Sequence, residues 1–288
     1  MPTTSTTAHE LIREQVLAVL APLREQSVFL AAGPRIIDTA GPLRIPFGPT
    51  FDAGPVVLTA EAEEIPEIEA SWSDMQMLPS TMKSFKRIHR YTNEITRMSA
   101  VAVEPMLRTG LVARLAADVD TQLLGATGDG ITTPRGLGAY QGVQTLAVGG
   151  ALTVDHILDA QGLLMKANAP TSGLTLFIRP DDYLAIRGTK DAVLGGWILD
   201  SDVNHGDLMR PILGCKVVPT TRIAEGTAYV AHMPSIAVAR DVNPAVTILT
   251  ERYAEFDEIG IRVVVRLDAA PLYPAAIVRL TGITTPTP

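Results

Sequence analysis

A single cysteine, Cys215, is the entire thiol inventory of the 288-residue chain. It excludes an intrachain disulfide and any cysteine-built metal cage, and it fits a reducing compartment. Lysine is almost as scarce. Only five occur, none before Lys83, so arginine carries most of the positive charge. A planar guanidinium suits fixed, two-pronged contacts between subunits better than a mobile ammonium does. The formal net charge of -7 lacks the cationic surplus that tight, sequence-specific binding to nucleic acid requires. No apolar run reaches the roughly 18 to 20 residues of a membrane-spanning helix. Met1 to Glu10 has no basic stretch followed by an apolar one, so no secretory signal is expected. Apolar surface is abundant, with 47% hydrophobic residues and a mean hydropathy of +0.21. That supports one large core or two joined ones, with some left for subunit contacts.

The pattern along the chain mixes helices and strands without regular strand–helix alternation, which gives an α+β class. Met1 to Thr7 reads as a polar end. Ala8 to Leu23 has apolar residues near helical spacing, closed by Pro22. Gly33 to Pro55 carries nine glycines and prolines, which forbid a helix and any central strand. After a β-prone run, Val56 to Thr59, come Glu61, Glu63, Glu64, Glu67 and Glu69. Trp72 to Thr96 is expected as extended strands, with the basic cluster Lys83, Lys86, Arg87 and Arg90. Leu43 to Thr96 as a whole has too little apolar alternation for its own core, so it is expected to lie on another surface. The clearest helix is Glu104 to Gly125, where Leu107, Leu111, Leu115, Val119 and Leu123 form one stripe. Pro105 suits its first turn and Gly125 the place of a cap. A glycine-rich loop, Gly128 to Gly142, follows. Helices are expected over Val154 to Lys166 and Pro180 to Arg187. Strands are expected over Leu174 to Ile178, Cys215 to Pro219, Tyr229 to His232, Val246 to Leu249, Ile259 to Leu267 and Ala275 to Leu280.

Catalytic constellations are thin. Gly136, Gly138 and Gly142 mimic a dinucleotide loop, but they follow a helix instead of opening one, so a plain loop is the reading. Asp202, His205 and Asp207 fall in a polar stretch without a third or fourth convergent ligand, and His9, His89, His156 and His232 are scattered. No Gly-x-Ser-x-Gly elbow occurs. Cys215 sits beside Lys216, which could activate a thiol, yet a small buried hydrophobe is the expected role. The Glu61 to Glu69 run defaults to a solvated or interfacial face.

Between Glu94 and Gly138 the order of features resembles the HK97-type tailed-bacteriophage major capsid family. Asp120, Leu123, Leu124, Gly128, Asp129, Gly130, Pro134 and Gly136 match its acidic residue near the end of a long helix, its Leu-Leu step and its Gly-Asp-Gly…Pro-x-Gly loop. A two-residue insertion, Ala126-Thr127, shifts one glycine. Downstream, Phe177 to Pro180 leading into Asp181–Arg187, then Leu213 to Pro219, and finally Glu251 to Leu280 keep the family's order. The resemblance covers about four-fifths of the chain. It implies an HK97-like capsid fold with peripheral domain, axial domain, extended loop and N-terminal arm. The division would be an arm over 1–42, the extended loop and flanking strands over 43–96 and the peripheral domain with its spine helix over 97–150. An axial domain over 151–238 and closing peripheral strands over 239–288 would complete it.

The resemblance further implies a homo-oligomer of pentamers and hexamers, working with a separate scaffolding protein, a portal and optional decoration proteins. DNA would be enclosed without sequence-specific contact. No cofactor, metal or catalytic residue is implied, and no membrane. The location would be the virion, with assembly in the host cytoplasm. Some members weld neighbouring subunits through a loop lysine. Here Thr59 to Trp72 has no lysine, and the position of the assisting glutamate falls near Val264 or Val265, so no weld is expected. The subunit interface is expected to use Glu61, Glu63, Glu64, Glu67 and Glu69 of one copy against Lys83, Lys86, Arg87 and Arg90 of another. The alternatives are an encapsulin-like nanocompartment shell, which shares the fold, and a hydrolase.

Overall fold

The computed structural model describes residues 23, 26–46, 50–51, 70–71, 74–98, 103–189, 211–241 and 245–284. The expected helix Ala8–Leu23, apart from Leu23 itself, lies outside them, as does the Val56–Thr59 run.

Helix α1 is the single turn Val28–Ala31, α2 spans Asn93–Met98, and α3, the spine helix, spans Val103–Leu123. In α3 the expected stripe is the buried face. Leu115, Val119 and Leu123 are sealed together with Val112 and Ala116, whereas Leu107 and Leu111 are half-buried toward the start. Gly125 does not adopt the left-handed conformation of a helix cap. Its lack of a side chain serves close packing instead, because Gly138 donates its N–H to the Gly125 carbonyl at 3.1 Å.

Strands β8 (Leu174–Ile178), β10 (Thr227–His232) and β15 (Ile277–Thr281) form the centre of a five-stranded sheet. Its edges are β7 (Gln144–Ala147) and β9 (Lys216–Pro219). The centre strands read as unbroken apolar runs because both faces are covered. Phe177, Tyr229, Ala231 and Ile277 join the core around α3. The alternate residues Leu176, Ile178, Ala228, Val230 and Val278 join a second core. Ile157 and Leu164 of α4 (Val154–Lys166), with Tyr183 and Ile186 of α5 (Pro180–Arg187), fill that core from the other side. This sheet is therefore the wall between two cores.

A smaller sheet repeats the device. Its order is β1 (Arg35–Thr39), β11 (Ile236–Asp241) and β14 (Leu267–Pro271). Ile236 and Val238 face the α3 core, whereas Ala237, Ala239 and Ala270 face outward and make a shallow, small-residue floor. On that floor lie Met77, Leu78 and Met82. They belong to the root of an antiparallel ribbon in which β2 (Leu43–Pro46) pairs with β5 (Asp74–Met77), and β3 (Thr50–Phe51) pairs with β4 (Ala70–Ser71). The ribbon borrows its floor from β11 and β14, as a stretch without apolar alternation must.

The last sheet is β12 (Ala245–Leu249), β13 (Glu258–Val265) and β6 (Phe85–Thr92). Two sequence expectations are corrected here. The extended stretch ends at Thr92, and Asn93 opens α2: its N–H and side-chain amide donate to Asp257, at 2.9 and 2.5 Å. That capping contact, made with a residue 164 positions away, overrides the local β preference. The single strand expected over Ile259 to Leu267 is two, because the chain turns at Arg266 from the β13 sheet into the β14 sheet. Strands β1, β7, β11 and β14, which sequence periodicity did not reveal, complete the set.

Candidate assembly surface and its loop root

Among the described residues of the spine helix, Asp120 is the buried charge. Asp120 is 2% exposed and accepts hydrogen bonds from Ser27 Oγ at 2.5 Å, Val28 N–H at 2.9 Å and Phe29 N–H at 3.1 Å. Ser27 in turn accepts from Leu30 N–H, so one carboxylate and one hydroxyl satisfy the free donors that open α1. Burial drives the Asp120 carboxyl above its ordinary range, and these hydrogen bonds pull it partly back. This is the acidic residue of the family motif. Its physical task is to pin the segment before β1 to the end of the spine.

The Gly-Asp-Gly step is a self-contained turn. The Asp129 carboxylate collects the N–H groups of Ile131, Thr132 and Thr133 at 2.8 to 3.0 Å, and both threonine hydroxyls. Those donors hold it well below the usual carboxylate range. Gly128 sits at φ +104°, and a side chain there would strike the Pro134 carbonyl at 2.2 Å. Gly136 and Gly138 are close-approach positions against Gly125 and the Tyr229 hydroxyl. The spacing that mimicked a dinucleotide loop is packing geometry.

That turn braces the root of the ribbon. Thr81 Oγ1 donates to the Ile131 carbonyl and Lys83 N–H to the Thr132 carbonyl, each at 2.8 Å. From the opposite side, Leu78 N–H donates to Asp268 of β14 at 3.2 Å, and Arg266 donates to the Pro79 carbonyl. Asp268 is 3% exposed; burial pushes its carboxyl up to about 6, against hydrogen bonds from Leu78 and Ala269 and the pull of Arg135. Arg135 lies 5.3 Å over the Tyr140 ring, and the Tyr140 hydroxyl donates to the Ala269 carbonyl. A cavity of about 740 Å³ opens between these groups, bounded by Asp74, Thr81, Asp129, Arg135, Tyr140 and Asp268. Sequence reasoning missed Asp268 and Arg266. The available signal was a carboxylate set in the otherwise apolar run Leu267 to Ala270.

The basic cluster is divided by the alternation of β6. Arg87 faces the spine helix and pairs with Asp118 at 2.6 Å. Arg90 reaches Glu258 at 3.5 Å and lies over Tyr253. Both are partly exposed pairs of the kind worth about 0 to 1 kcal/mol. Lys83 and Lys86 are exposed and make no ion pair among the described residues. Ile88, on the Lys86 side of the strand, is 46% exposed. The five glutamates, Glu61, Glu63, Glu64, Glu67 and Glu69, lie outside the described residues.

Nothing described assembles a reaction centre. Cys215 is buried and receives an N–H from Gln161 at 3.1 Å. Burial pushes the thiol up, the reverse of the activation that neighbouring Lys216 could have supplied. His156 caps α4 through Thr153, and His232 contacts Ser235 at 2.6 Å. No group of three or more His, Cys, Asp or Glu is placed to hold a metal among the described residues. Asp202, His205 and Asp207 lie outside them. No described helix is long and apolar enough to cross a membrane.

Comparison with known proteins agrees with this architecture. The phage capsid family model matches residues 12–282. Among solved structures, one from Microbacterium phage Oxtober96 superposes with a TM-score of 0.71 at 18% identity, covering 88% of this chain and 90% of that one. The capsid of an empty GTA particle gives 0.69 at 14%, covering 89% and 90%. A virus-like particle from Pyrococcus furiosus gives 0.59 at 15%, covering 93% and 98%. At such identities these likenesses speak for the fold, which is the HK97-like one. No curated protein matches. The family match takes in the spine, both cores and the ribbon root, so the chain belongs to the phage capsid family and is a structural subunit of a capsid shell.

Proposed function

We propose that the chain is the subunit that builds an icosahedral head shell around phage DNA, assembling as pentamers and hexamers, with mechanical work and no chemical step. The observation that carries this is the described part of the ribbon, Leu43–Pro46 paired with Asp74–Met77 and Thr50–Phe51 paired with Ala70–Ser71, whose root rests on a floor borrowed from β11 and β14. An element of that kind suits contact with a second copy better than stability within one. The domain division proposed is that of the sequence reading. An arm 1–42 and the ribbon with flanking strands 43–96 precede a peripheral unit 97–150 with its spine helix, an axial unit 151–238 and the closing strands of the peripheral unit, 239–288. The second core, around α4 and α5, supports the axial unit. The partners proposed are a separate scaffolding protein, a portal and, where present, decoration proteins, with assembly in the host cytoplasm. Light scattering and electron microscopy on the co-expressed protein are expected to give closed shells. A compact monomer under every assembly condition would overturn the reading. An encapsulin-like container is distinguished by its contents, a packaged enzyme in place of DNA.

The interface proposed between copies sets Glu61, Glu63, Glu64, Glu67 and Glu69 against the basic strand of a neighbour. Lys83 and Lys86 carry the attraction, while Arg87 and Arg90 keep their partners within the subunit. Each exposed pair contributes about 0.2 to 1 kcal/mol, so its weight lies in docking register and in repetition over many equivalent contacts. Glu63→Lys combined with Glu64→Lys is expected to impair assembly, and added salt to loosen wild-type shells before it unfolds subunits. Normal assembly of the reversed subunits, with unchanged salt tolerance, would refute the pairing.

A further inference from the structure

We propose that the face of the β12–β13–β6 sheet turned away from the spine helix is a seat for the acidic stretch Glu63 to Glu67 of a second copy, laid across it in extended form with Ile65 over Ile88. The seat rests on the shell reading above, and it gives that shell's charge pairing a face and a parity.

Alternation along β6 sends Arg87 and His89 toward the spine and Lys86, Ile88 and Arg90 the other way. The ladder sets Val264 beside Lys86 and Arg262 beside Ile88, with Thr247 beyond Arg262. Three cations therefore surround one isoleucine that is 46% exposed. Arg90 is tied to Glu258, and Tyr253 covers that end of the face, where a side chain on Gly260 would strike its ring. The Lys86 end is open. Neither Lys86 nor Arg262 has an ion pair among the described residues. Arg262 donates to Thr247 Oγ1 at 3.3 Å, and its buried Nε finds no acceptor. A face with unspent cationic donors around an exposed apolar centre calls for an acidic partner with an apolar centre of its own.

The chain itself supplies such a partner. Glu61 to Glu69 holds five glutamates in nine residues and no cation. Its odd positions read Glu61, Glu63, Ile65, Glu67 and Glu69, one apolar residue with acids on both sides. In an extended chain these lie on one side about 7 Å apart, which is also the spacing of Lys86, Ile88 and Arg90. Glu64 and Pro66 fall on the opposite side. Pro66 biases Ile65 away from helical backbone and toward the extended form. Arg262, beside Ile88 in the ladder, stands within reach of a glutamate on either side of Ile65. Glu69 directly precedes β4, at the end of the ribbon away from its root. A stretch tethered there meets a neighbour more readily than the β6 strand of its own copy, which begins beyond the root.

Shell yield from single charge reversals in the full-length chain reads the parity. Glu63→Lys and Glu67→Lys are each expected to lower it about tenfold or more, since an attraction becomes a repulsion at every equivalent contact. Glu64→Lys, whose side chain stays solvated, is expected to leave it within about twofold. An equal loss in Glu64→Lys overturns the seat and leaves the charge docking proposed above standing. A wild type that forms no shells sinks the shell reading, and the seat with it. Position is read by disulfide trapping, with Cys215 buried and out of reach. Ile65→Cys combined with Ile88→Cys is expected to give a ladder of linked copies from oxidised shells on non-reducing gels. Ile65→Cys combined with His89→Cys, on the spine side of β6, is expected to give none. Equal ladders from both pairs, or a bond closed within one copy, overturn the seat. So does retention of unassembled wild-type subunits on double-stranded DNA that Lys86→Gln and Arg262→Gln abolish, if the ladder is absent. Should the cysteine pairs not assemble, the parity series decides alone.

Discussion

Asp120→Ala is expected to cost the subunit about 3 kcal/mol, enough to remove a large part of a typical domain's stability. The substitution strips the acceptor from Ser27 Oγ, Val28 N–H and Phe29 N–H at once, in a site closed to water. Each stranded donor costs about 1 to 3 kcal/mol, offset in part because a polar carboxyl group no longer has to be buried. Phe29, which is fully buried and lies 6.3 Å from the Phe177 ring, loses the anchor that seats it between the spine and the five-stranded sheet. Asp120→Asn is expected to cost less, about 1 to 2 kcal/mol. Its remaining oxygen serves two of the donors, while its amide confronts the third. The pH dependence has a fixed sign. The folded carboxyl lies above its ordinary value, so it stabilises most in acid and less as pH rises. The penalty of the alanine variant shrinks in the same direction. Urea unfolding of unassembled subunits at two pH values measures both effects. Equal midpoints for wild type and Asp120→Ala would show that the pin carries no weight.

Gly136→Ala is expected to be as damaging, through steric collision. A Cβ at that position would lie 2.3 Å from the Gly125 carbonyl oxygen, 2.6 Å from its carbon and 2.8 Å from the Gln122 carbonyl oxygen. All are backbone atoms at the end of the spine helix, so no side chain can swing aside. The loop must retreat, surrendering Gly136 N–H to Thr127, Gly138 N–H to Gly125 and the Gln122 amide to Pro134. Overpacking of this kind costs about 1 to 3 kcal/mol and more where backbone must move. The expected loss is about 3 kcal/mol, with a second consequence: the Asp129 turn shifts and its grip on Thr81 and Lys83 weakens. Gly162→Ala is the contrasting control. It lies within α4 with nothing within 4 Å of its added Cβ. There the change is expected to stabilise by about 0.5 to 1 kcal/mol, because alanine loses less backbone freedom on folding. Denaturant midpoints should therefore move in opposite directions for the two variants. A Gly136→Ala protein with wild-type stability would contradict the close-approach account.

The sequence by itself determined those elements whose burial is one-sided or whose ends are punctuated. The Leu107 to Leu123 stripe, α4 and α5 are legible because a helix that packs on one side must repeat its apolar residues along that side. Strands β8, β10 and β15 are legible as apolar runs, although nothing local reveals that their alternate residues feed two different cores. The glycines and aspartate of the 128–136 loop were readable as a family pattern. Their physical reasons, a saturated carboxylate and side-chain-free contact with the helix end, exist only when the loop is folded against Gly125. Strands β11 and β14 escaped notice because their outward face is alanine, chosen to fit the ribbon root and carrying no strong local β signal. The same holds for the helix at Asn93, whose cap comes from Asp257. Tertiary structure alone decided the roles of the buried carboxylates, since Asp120 and Asp268 act on backbone N–H groups 91 to 190 residues away. A hydrogen bond to a main-chain amide leaves no trace in the identity of the residue that donates it. The acceptor is visible in the sequence, but its partner is fixed by the fold.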